Sequence, residues 1–313
     1  MSTPGATAAR RGPCGAKEGP VPPARCGPAG SAFPLALMLP AVLLVVCVTF
    51  LPIVRAVSLS FRDTSYLKVG GFVGLRHFQA FLRDPLSRQN LLNSLTFTFG
   101  SLAVSLPLAL GLALLLHRPF PGRGMFRTVL ILPWVVSQLL TALLWRWLDS
   151  PLLGPAAYIL SELAGTRVDI LGDPNTAMAG VILANVWRSF PYAMILTLAA
   201  LQTIPDELYE AARIDGAGRW NLFRFVTFPM IQNTFLIATI ILTIHYFNMI
   251  ELPLVLTGGG PVNRTEVLGL RVYREAFVLF KFGFGSAIAL VMFAVNIVVS
   301  LVYIKVLRAE SRY

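Results

Sequence analysis

The sequence has little charge for a chain of its length. Only 13% of its 313 residues are Asp, Glu, Lys or Arg, whereas soluble domains carry about 25%. Hydrophobic residues make up 56% of the chain, and its mean hydropathy is +0.70. This composition excludes an ordinary soluble domain and predicts a protein that crosses a membrane several times.

Cysteine and histidine are also scarce, which excludes several kinds of site. Cys14, Cys26 and Cys47 show neither metal-ligand spacing nor a paired framework, so we interpret them as free thiols and expect no metal. The three histidines lie far apart in the sequence. The net charge of +11 comes from basic residues beside apolar runs, which favours topology signals and anionic lipid over nucleic acid.

Long apolar runs predict six transmembrane helices of about 20 residues or more. Residues 1–32 form a basic tail rich in Pro, Gly and Ala, for which we expect disorder. No short apolar core with a cleavage site is present, so the first run is predicted to be a retained span. The membrane domain is predicted over residues 33–307, followed by a short tail, 308–313. The six spans are predicted at residues 33–59, 91–116, 126–148, 177–201, 225–254 and 284–307.

The connections between the spans are predicted to differ in length and character. With six spans, both termini share one side of the membrane with the basic turn 117–127 and the polar loop 204–229. The longer segments 60–90 and 149–175 lie on the opposite side, the first with a short helix. No alternating pattern is long enough to predict a β domain.

The polar loop 204–229 separates two apolar runs and must leave the membrane. Each unpaired charge at the bilayer centre would cost roughly 2.5–3.5 kcal/mol. Pro205 begins a helix whose first turn contains Asp206 and Glu207, where acidic groups suit the helix dipole. Gly216 permits a sharp turn before an amphipathic segment. The loop is therefore predicted to be a docking element for a soluble partner.

A regular spacing of small and apolar residues runs through this loop. Glu210, Ala211 and Ala212 are followed after three residues by Gly216, and after nine more by the segment 226–229, which reads VTFP. This spacing resembles the EAA loop in the membrane subunits of binding-protein-dependent ABC importers. The resemblance implies that an ATPase is coupled to the chain through Glu210, Ala211, Ala212, Asp215, Gly216 and Ala217.

A glycine-rich segment, TGGGP at residues 257–261, follows the fifth apolar run. No Lys-Ser or Lys-Thr comes after it and no strand precedes it, which argues against a nucleotide-binding loop. Together with Thr265 and Glu266, it resembles the sugar-type branch of these permeases, which handles di- and oligosaccharides and glycerol phosphates. The segment 185–187, with Pro191 in the same span, is similar to that branch as well.

The resemblance implies a fold, a location and a set of partners. The fold would be an all-α membrane protein with six transmembrane helices, like the type I ABC importer permeases, with both termini cytoplasmic. The location would be the bacterial cytoplasmic (inner) membrane. The partners would be an ABC ATPase dimer, a second permease subunit that is usually a different chain, and an extracytoplasmic binding protein or lipoprotein. The chain itself would hold no cofactor and catalyse no reaction, since ATP would be bound by the partner subunits.

Polar residues inside the spans are candidates for contact with a hydroxyl-rich cargo, which needs hydrogen-bond partners. Each could equally join helix to helix, a contact worth roughly 0.6–2 kcal/mol. Tyr246, Asn248 and Glu251 rank first because they lead into the glycine-rich segment. Arg188 suits an anionic cargo such as a glycerol phosphate, and equally a phosphate headgroup or an acidic side chain near the outer interface. The remaining candidates are Gln138, Asn185, Trp187, His245 and Asn296.

Two other classes of protein compete with this interpretation. A stand-alone secondary transporter would need carboxylates within its spans for proton or sodium coupling, and only Glu251, at a span end, approaches this. A membrane-embedded enzyme would need histidine with acids, or paired carboxylates, near the membrane face. The sequence leaves the cargo and the identity of the second permease open.

Overall fold

The computed structural model describes residues 32–66 and 68–310. The predicted basic tail, apart from residue 32, lies outside these ranges, as do Cys14, Cys26 and the last three residues. The chain divides into two units, residues 1–53 and 54–313. In the first unit, the described residues form a single helical segment whose side chains from Leu37 onward are all exposed.

The described chain is mostly helical. In its first half the elements are α1 (Ala32–Ser60), β1 (Arg62–Ser65), β2 (Lys68–Phe72), α2 (Arg76–Arg83), α3 (Pro85–His117), α4 (Arg123–Val135), α5 (Gln138–Leu148) and α6 (Pro155–Ala164). In its second half they are α7 (Ala177–Leu201), α8 (Asp206–Ile214), α9 (Arg219–Leu222), α10 (Phe228–Phe247), α11 (Glu251–Leu256), α12 (Leu268–Tyr273) and α13 (Phe282–Glu310). Two π-helical turns, Phe223–Thr227 and Arg274–Val278, precede α10 and follow α12.

Five helical segments are long and apolar enough to cross a membrane. They are α1, α3, α7, the continuous stretch from α9 through α10, and α13. Helices α4 and α5 pass the same test as a pair and are bent by 97° at their junction. The predicted all-α fold with up to six spans is therefore confirmed, and the side on which the termini lie stays a prediction.

The third predicted span, 126–148, is formed by a bent pair of helices and not by one continuous helix. Val136 adopts an extended conformation with φ −68° and ψ 134°, which ends α4. Ser137 then caps α5, because its hydroxyl accepts a hydrogen bond from the Leu140 amide at 3.2 Å. The apolar run conceals this serine cap, which divides the span into two helices.

The fifth predicted span, 225–254, is also interrupted. Helix α10 ends at Phe247, and α11 begins only at Glu251. Pro253 lacks an amide hydrogen, and its ring would clash with the Met249 carbonyl in a continuous helix. In α11 the proline lies in the first turn, where amide groups have no intrahelical partner. The proline was the available sequence signal for this break.

A small antiparallel hairpin precedes α2 and was missed by the sequence patterns. β1 pairs with β2 so that Arg62 lies opposite Phe72 and Thr64 opposite Val69. The Gly283 amide at the start of α13 donates to the Thr64 hydroxyl at 2.6 Å. The strands are too short to show alternation, and β2 is exposed throughout. The predicted short helix in this segment corresponds to α2.

Helices α3 and α7 form the centre of the packed core. Ala109, Ala113, Ala184 and Ala193 are fully buried in one hydrophobic cluster, and these small side chains let helices approach closely. Helix α10 packs against both helices. The candidate functional residues described below lie at or near the ends of these three packed helices.

Candidate functional site

The polar loop begins with the helix that its sequence predicts. Helix α8 starts after Pro205, carries Asp206 and Glu207 in its first turn, and carries Arg213 in its last. These charges are oriented favourably in the field of the helix dipole. All the described side chains of α8 are at least partly exposed. One side of the helix, at Tyr209 and Ala212, is half-buried, and Tyr209 packs against the core.

Gly216 ends α8 in a left-handed conformation with φ +82°. Its amide donates to the Arg213 carbonyl at 3.0 Å, and the Ala217 amide donates to the Ala212 carbonyl at 2.9 Å. These two bonds form a Schellman motif, in which a glycine satisfies carbonyl groups at the end of a helix. The motif reverses the chain and directs it into α9.

The loop presents its candidate coupling residues to the outside. Glu210, Ala211, Asp215 and Gly216 are exposed, whereas the flanking residues Ala212 and Ala217 are half-buried. Large apolar side chains beside them are exposed as well, which is unusual in a polar loop and marks an interaction surface. These apolar side chains are Leu208, Ile214, Trp220 and Phe225.

A hydrogen bond fastens this loop to the helix that follows it. The Tyr209 hydroxyl on α8 lies 3.1 Å from the Thr227 hydroxyl, in the π-helical turn that leads into α10. Behind the two helices, an open groove of about 720 Å³ extends to the end of α3 at His117. Neither Tyr209 nor Thr227 carries a sequence signal for this contact, because 18 residues separate them.

A second group of candidates gathers where the two broken spans meet α7. The Arg188 Nε on α7 donates to the Val136 carbonyl at 3.2 Å, which is a group that the bend between α4 and α5 leaves free. Gln138 at the start of α5 lies 3.1 Å from the His245 Nε2 on α10. Interrupted helices inside a membrane are tolerated where they are buried in protein or line a cavity.

Several of these candidates form one accessible surface, which we call the polar face. It consists of Gln138, Arg188, His245, Asn248 and Glu251, the last three being exposed and the first two half-buried. The Asn248 amide is oriented by two bonds. Its nitrogen donates to the Ile244 carbonyl at 2.8 Å, and its oxygen accepts from Asn296 at 3.1 Å.

Two candidates, Tyr246 and Asn185, lie in the core and not on the polar face. The Tyr246 hydroxyl is 2.5 Å from the Ser189 hydroxyl and 3.5 Å from that of Ser105, so it joins α10 to α7 and α3. Asn185 is fully buried, and its amide has no partner among the described residues. In this conformation both residues contact helices and are not open to a cargo.

Trp187 packs beside the polar face. Its ring centroid lies 6.2 Å from that of Trp145 on α5, in an edge-to-face arrangement.

In the described part of the chain, no three His, Cys, Asp or Glu side chains come together as a metal site.

The glycine-rich segment is fixed by an ion pair that sequence reasoning missed. Glu266 is fully buried, and the Arg274 Nη1 donates to its Oε1 at 2.7 Å. The Nη2 of Arg274 donates to the Gly258 carbonyl. Asn93 on α3 donates to the carbonyls of Asn263 and Glu266 at 2.8 and 3.0 Å. The segment is therefore tied to α3 and to the turn after α12.

A membrane-embedded helical core, broken spans with a polar face, and an anchored polar loop at one end define a membrane transport protein. The chain belongs to the family of binding-protein-dependent transport system inner membrane components, whose model matches residues 105–308. It is thus an inner-membrane component of a transport system that depends on a binding protein.

Curated relatives resemble the chain over most of its length. It is 33% identical to the trehalose/maltose transport system permease protein MalF of Thermococcus litoralis, over 86% of this chain and 92% of that protein. It is 31% identical to the sulfoquinovosyl glycerol transport system permease protein SmoG of Agrobacterium fabrum, over 88% of this chain and 90% of that one.

A solved structure shares the fold. A chain of a bacterial ABC transporter involved in the import of the acidic polysaccharide alginate superposes with a TM-score of 0.79 at 23% identity. The match covers 89% of this chain and 96% of that chain. The expected type I importer permease fold is confirmed by this similarity.

Proposed function

We propose that this chain is a permease subunit of an ATP-driven importer that moves a carbohydrate from an external binding protein into the cytoplasm. The observation that carries the proposal is the polar loop, a Schellman-terminated helix held outside the apolar core and fastened to α10 through Tyr209 and Thr227. Such a loop transmits motion because it is short and anchored at both ends.

The coupling residues act as a mechanical contact. Two cytoplasmic ATPases each receive one loop, one from this chain and one from a second permease subunit, usually a different chain. ATP binding closes the ATPases, moves the loops and opens the path outward, so that the binding protein delivers its cargo. Hydrolysis resets the cycle. In this scheme both termini are cytoplasmic, and this chain supplies no catalytic residue and binds no cofactor.

Within the loop, each coupling residue has a role that follows from its position. Glu210, exposed and free of any ion pair among the described residues, is available to a polar group of the ATPase. Ala211 and Ala212 permit close approach because they have no side chain beyond Cβ. Asp215, Gly216 and Ala217 form the turn that ends α8 and orients this helix toward the ATPase.

The cargo class is proposed from the relatives and from the chemistry of the polar face. The relatives named above carry trehalose or maltose and sulfoquinovosyl glycerol, according to their names. The polar face offers amide, imidazole, guanidinium and carboxylate groups, which match a molecule rich in hydroxyl groups. Its Arg188 and Glu251 have opposite charges, so the polar face suits both a neutral sugar and a polyol phosphate.

Uptake by variants of the polar face tests the cargo assignment. Asn248→Ala and His245→Ala each remove one side chain that is open to a cargo, and a lost hydrogen bond costs roughly 0.5–1.5 kcal/mol. We expect the apparent KM for the transported sugar to rise about twofold to tenfold, with unchanged amounts of protein in the membrane. Uptake of candidate sugars and polyol phosphates is measured in vesicles that contain the whole transporter.

Asn233→Ala is the matched control, because Asn233 is an exposed asparagine nearer the loop end of the same helix. It should leave the KM for cargo unchanged. Equal effects of Asn233→Ala and Asn248→Ala would contradict the assignment of the polar face. Uptake that continues without any ATPase would instead favour a stand-alone secondary transporter.

A further inference from the structure

We propose that Arg123 and Arg127, at the start of α4, bind the phosphate headgroup of an anionic phospholipid. Their side chains turn toward Gln202, which caps the end of α7 beside the polar loop. The site is separate from the polar face and from the coupling residues of the loop. The inference does not depend on which cargo the transporter carries.

The two guanidinium groups converge on a single neutral acceptor. With the Gln202 amide oriented so that its oxygen faces them, that oxygen accepts from Nη2 of Arg123 and from Nη2 of Arg127, each at 3.1 Å. Two like charges are thus brought close together and share an oxygen that carries no formal charge. An anion beside the two groups would stabilise this arrangement, because like charges in proximity repel.

No carboxylate within the described ranges balances this pair. Each described acidic oxygen lies more than 4.0 Å from the guanidinium nitrogens of Arg118, Arg123 and Arg127, including those of Asp206 and Glu210 in the neighbouring groove. The Nε of Arg127 is buried and has no hydrogen-bond partner among the described residues. The pair therefore retains both unbalanced charge and an unused donor.

The surroundings of the pair favour a lipid over a protein as the source of the anion. Met125, Val129 and Leu132 are large, exposed apolar side chains of the same helix, on the side away from the two arginines, and they give α4 an apolar surface for contact with lipid. Cationic side chains at the end of a lipid-exposed apolar helix lie at headgroup level, where anionic lipids attract them. Arg123 and Arg127, in the first turns of this helix, are therefore at the level where the phosphate headgroup of a lipid lies.

Lipid retention by the purified transporter tests the proposal. The full chain with its co-purifying subunits is placed in discs of phosphatidylcholine, with and without phosphatidylglycerol, and bound lipid is measured by native mass spectrometry. The double variant R123Q/R127Q should weaken phosphatidylglycerol binding about 25-fold, or about fivefold per arginine. The matched control R213Q/R224Q removes two charges from the loop that follows α7 and should bind the lipid normally.

A second variant keeps the test decisive if the double variant fails to fold. Gln202→Glu places a carboxylate where the two arginines converge and so supplies the missing anion from within the chain. We expect Gln202→Glu to fold, to show higher thermal stability in phosphatidylcholine alone, and to lose its preference for phosphatidylglycerol. Phosphatidylglycerol retention that is unchanged in Gln202→Glu would contradict the proposal.

Two further outcomes would overturn the assignment to lipid. If inorganic phosphate stabilises the wild-type protein as much as phosphatidylglycerol does, and R123Q/R127Q abolishes both effects, the site binds a free anion. If R123Q/R127Q retains phosphatidylglycerol normally but loses the ATPase, the pair contacts an acidic group of that protein. Selective loss of phosphatidylglycerol with the ATPase still bound supports the proposal.

Discussion

Replacing Gly216 with alanine isolates the contribution of the backbone turn to ATPase docking. Gly216 has φ +82°, a conformation that costs an L-residue roughly 1–2 kcal/mol. A Cβ atom added at this position meets no other atom within 4 Å, so the substitution introduces no steric clash. Any effect of Gly216→Ala therefore comes from the conformation of the turn.

The size of the effect follows from this strain. Gly216 is exposed and no side chain packs on it, so the free variant loop relaxes out of the strained turn and must recover it when it docks. Docking then loses about 1–2 kcal/mol, equivalent to about fivefold to thirtyfold in affinity. We expect the apparent Kd for the ATPase to rise within that range, while the helical content and membrane insertion of the chain stay unchanged.

Gly218→Ala is the internal control for this experiment. Gly218 lies two residues further on, with φ −71°, and a Cβ atom added there also meets nothing within 4 Å. Alanine adopts this conformation freely, so Gly218→Ala should bind the ATPase as well as wild type or slightly better. Binding of purified ATPase to the immobilised permease measures both variants. Equal affinities for Gly216→Ala and Gly218→Ala would refute the reasoning.

Three further predictions concern the coupling surface, the buried ion pair and an isolated acid. Ala212→Trp should insert normally but retain less ATPase on co-purification, because the indole fills the close-approach surface; undiminished retention would contradict this. Arg274→Met should lower the unfolding free energy by roughly 3 kcal/mol by leaving Glu266 buried and unpaired, and adding Glu266→Gln should restore part of the loss. Burial raises the pKa of the Asp149 carboxyl. Its contribution to stability is therefore present at low pH and is lost as pH rises through the folded-state pKa. Asp149→Asn should raise the melting temperature at neutral pH and flatten its pH dependence, and an unchanged pH profile would exclude this role.

Sequence patterns predicted the parts of the fold that depend on local composition. Long apolar runs located the spans, since a stretch of some 20 apolar residues has few alternatives to crossing the bilayer. The bounds of α7 agree with the prediction at both ends. The turn at Gly216 was predicted because glycine is the residue that adopts positive φ without cost.

The breaks in two spans were missed because hydropathy does not distinguish a straight helix from a broken one. Ser137 and Pro253 were the available signals, and both lie within strongly apolar runs. The capping preference of serine and the missing amide of proline therefore carry information that average hydropathy conceals.

Contacts between distant residues could not be predicted from one sequence. The bond between Tyr209 and Thr227, and that between Asn93 and Glu266, join segments whose proximity depends on the whole fold. For the same reason, the polar residues of the spans could not be divided in advance into the exposed polar face and the buried Asn185 and Tyr246. The roles of both groups in transport stay predictions.

Purification of the tagged chain from its native membrane in mild detergent, followed by mass spectrometry, shows whether the chain is a subunit of an ATP-driven importer. We expect an ATP-binding-cassette subunit and a second permease in the preparation, with the ATPase reduced in the Gly216→Ala variant but not in Gly218→Ala. A chain that purifies alone, and that transports after reconstitution without ATP, would instead be a stand-alone secondary transporter.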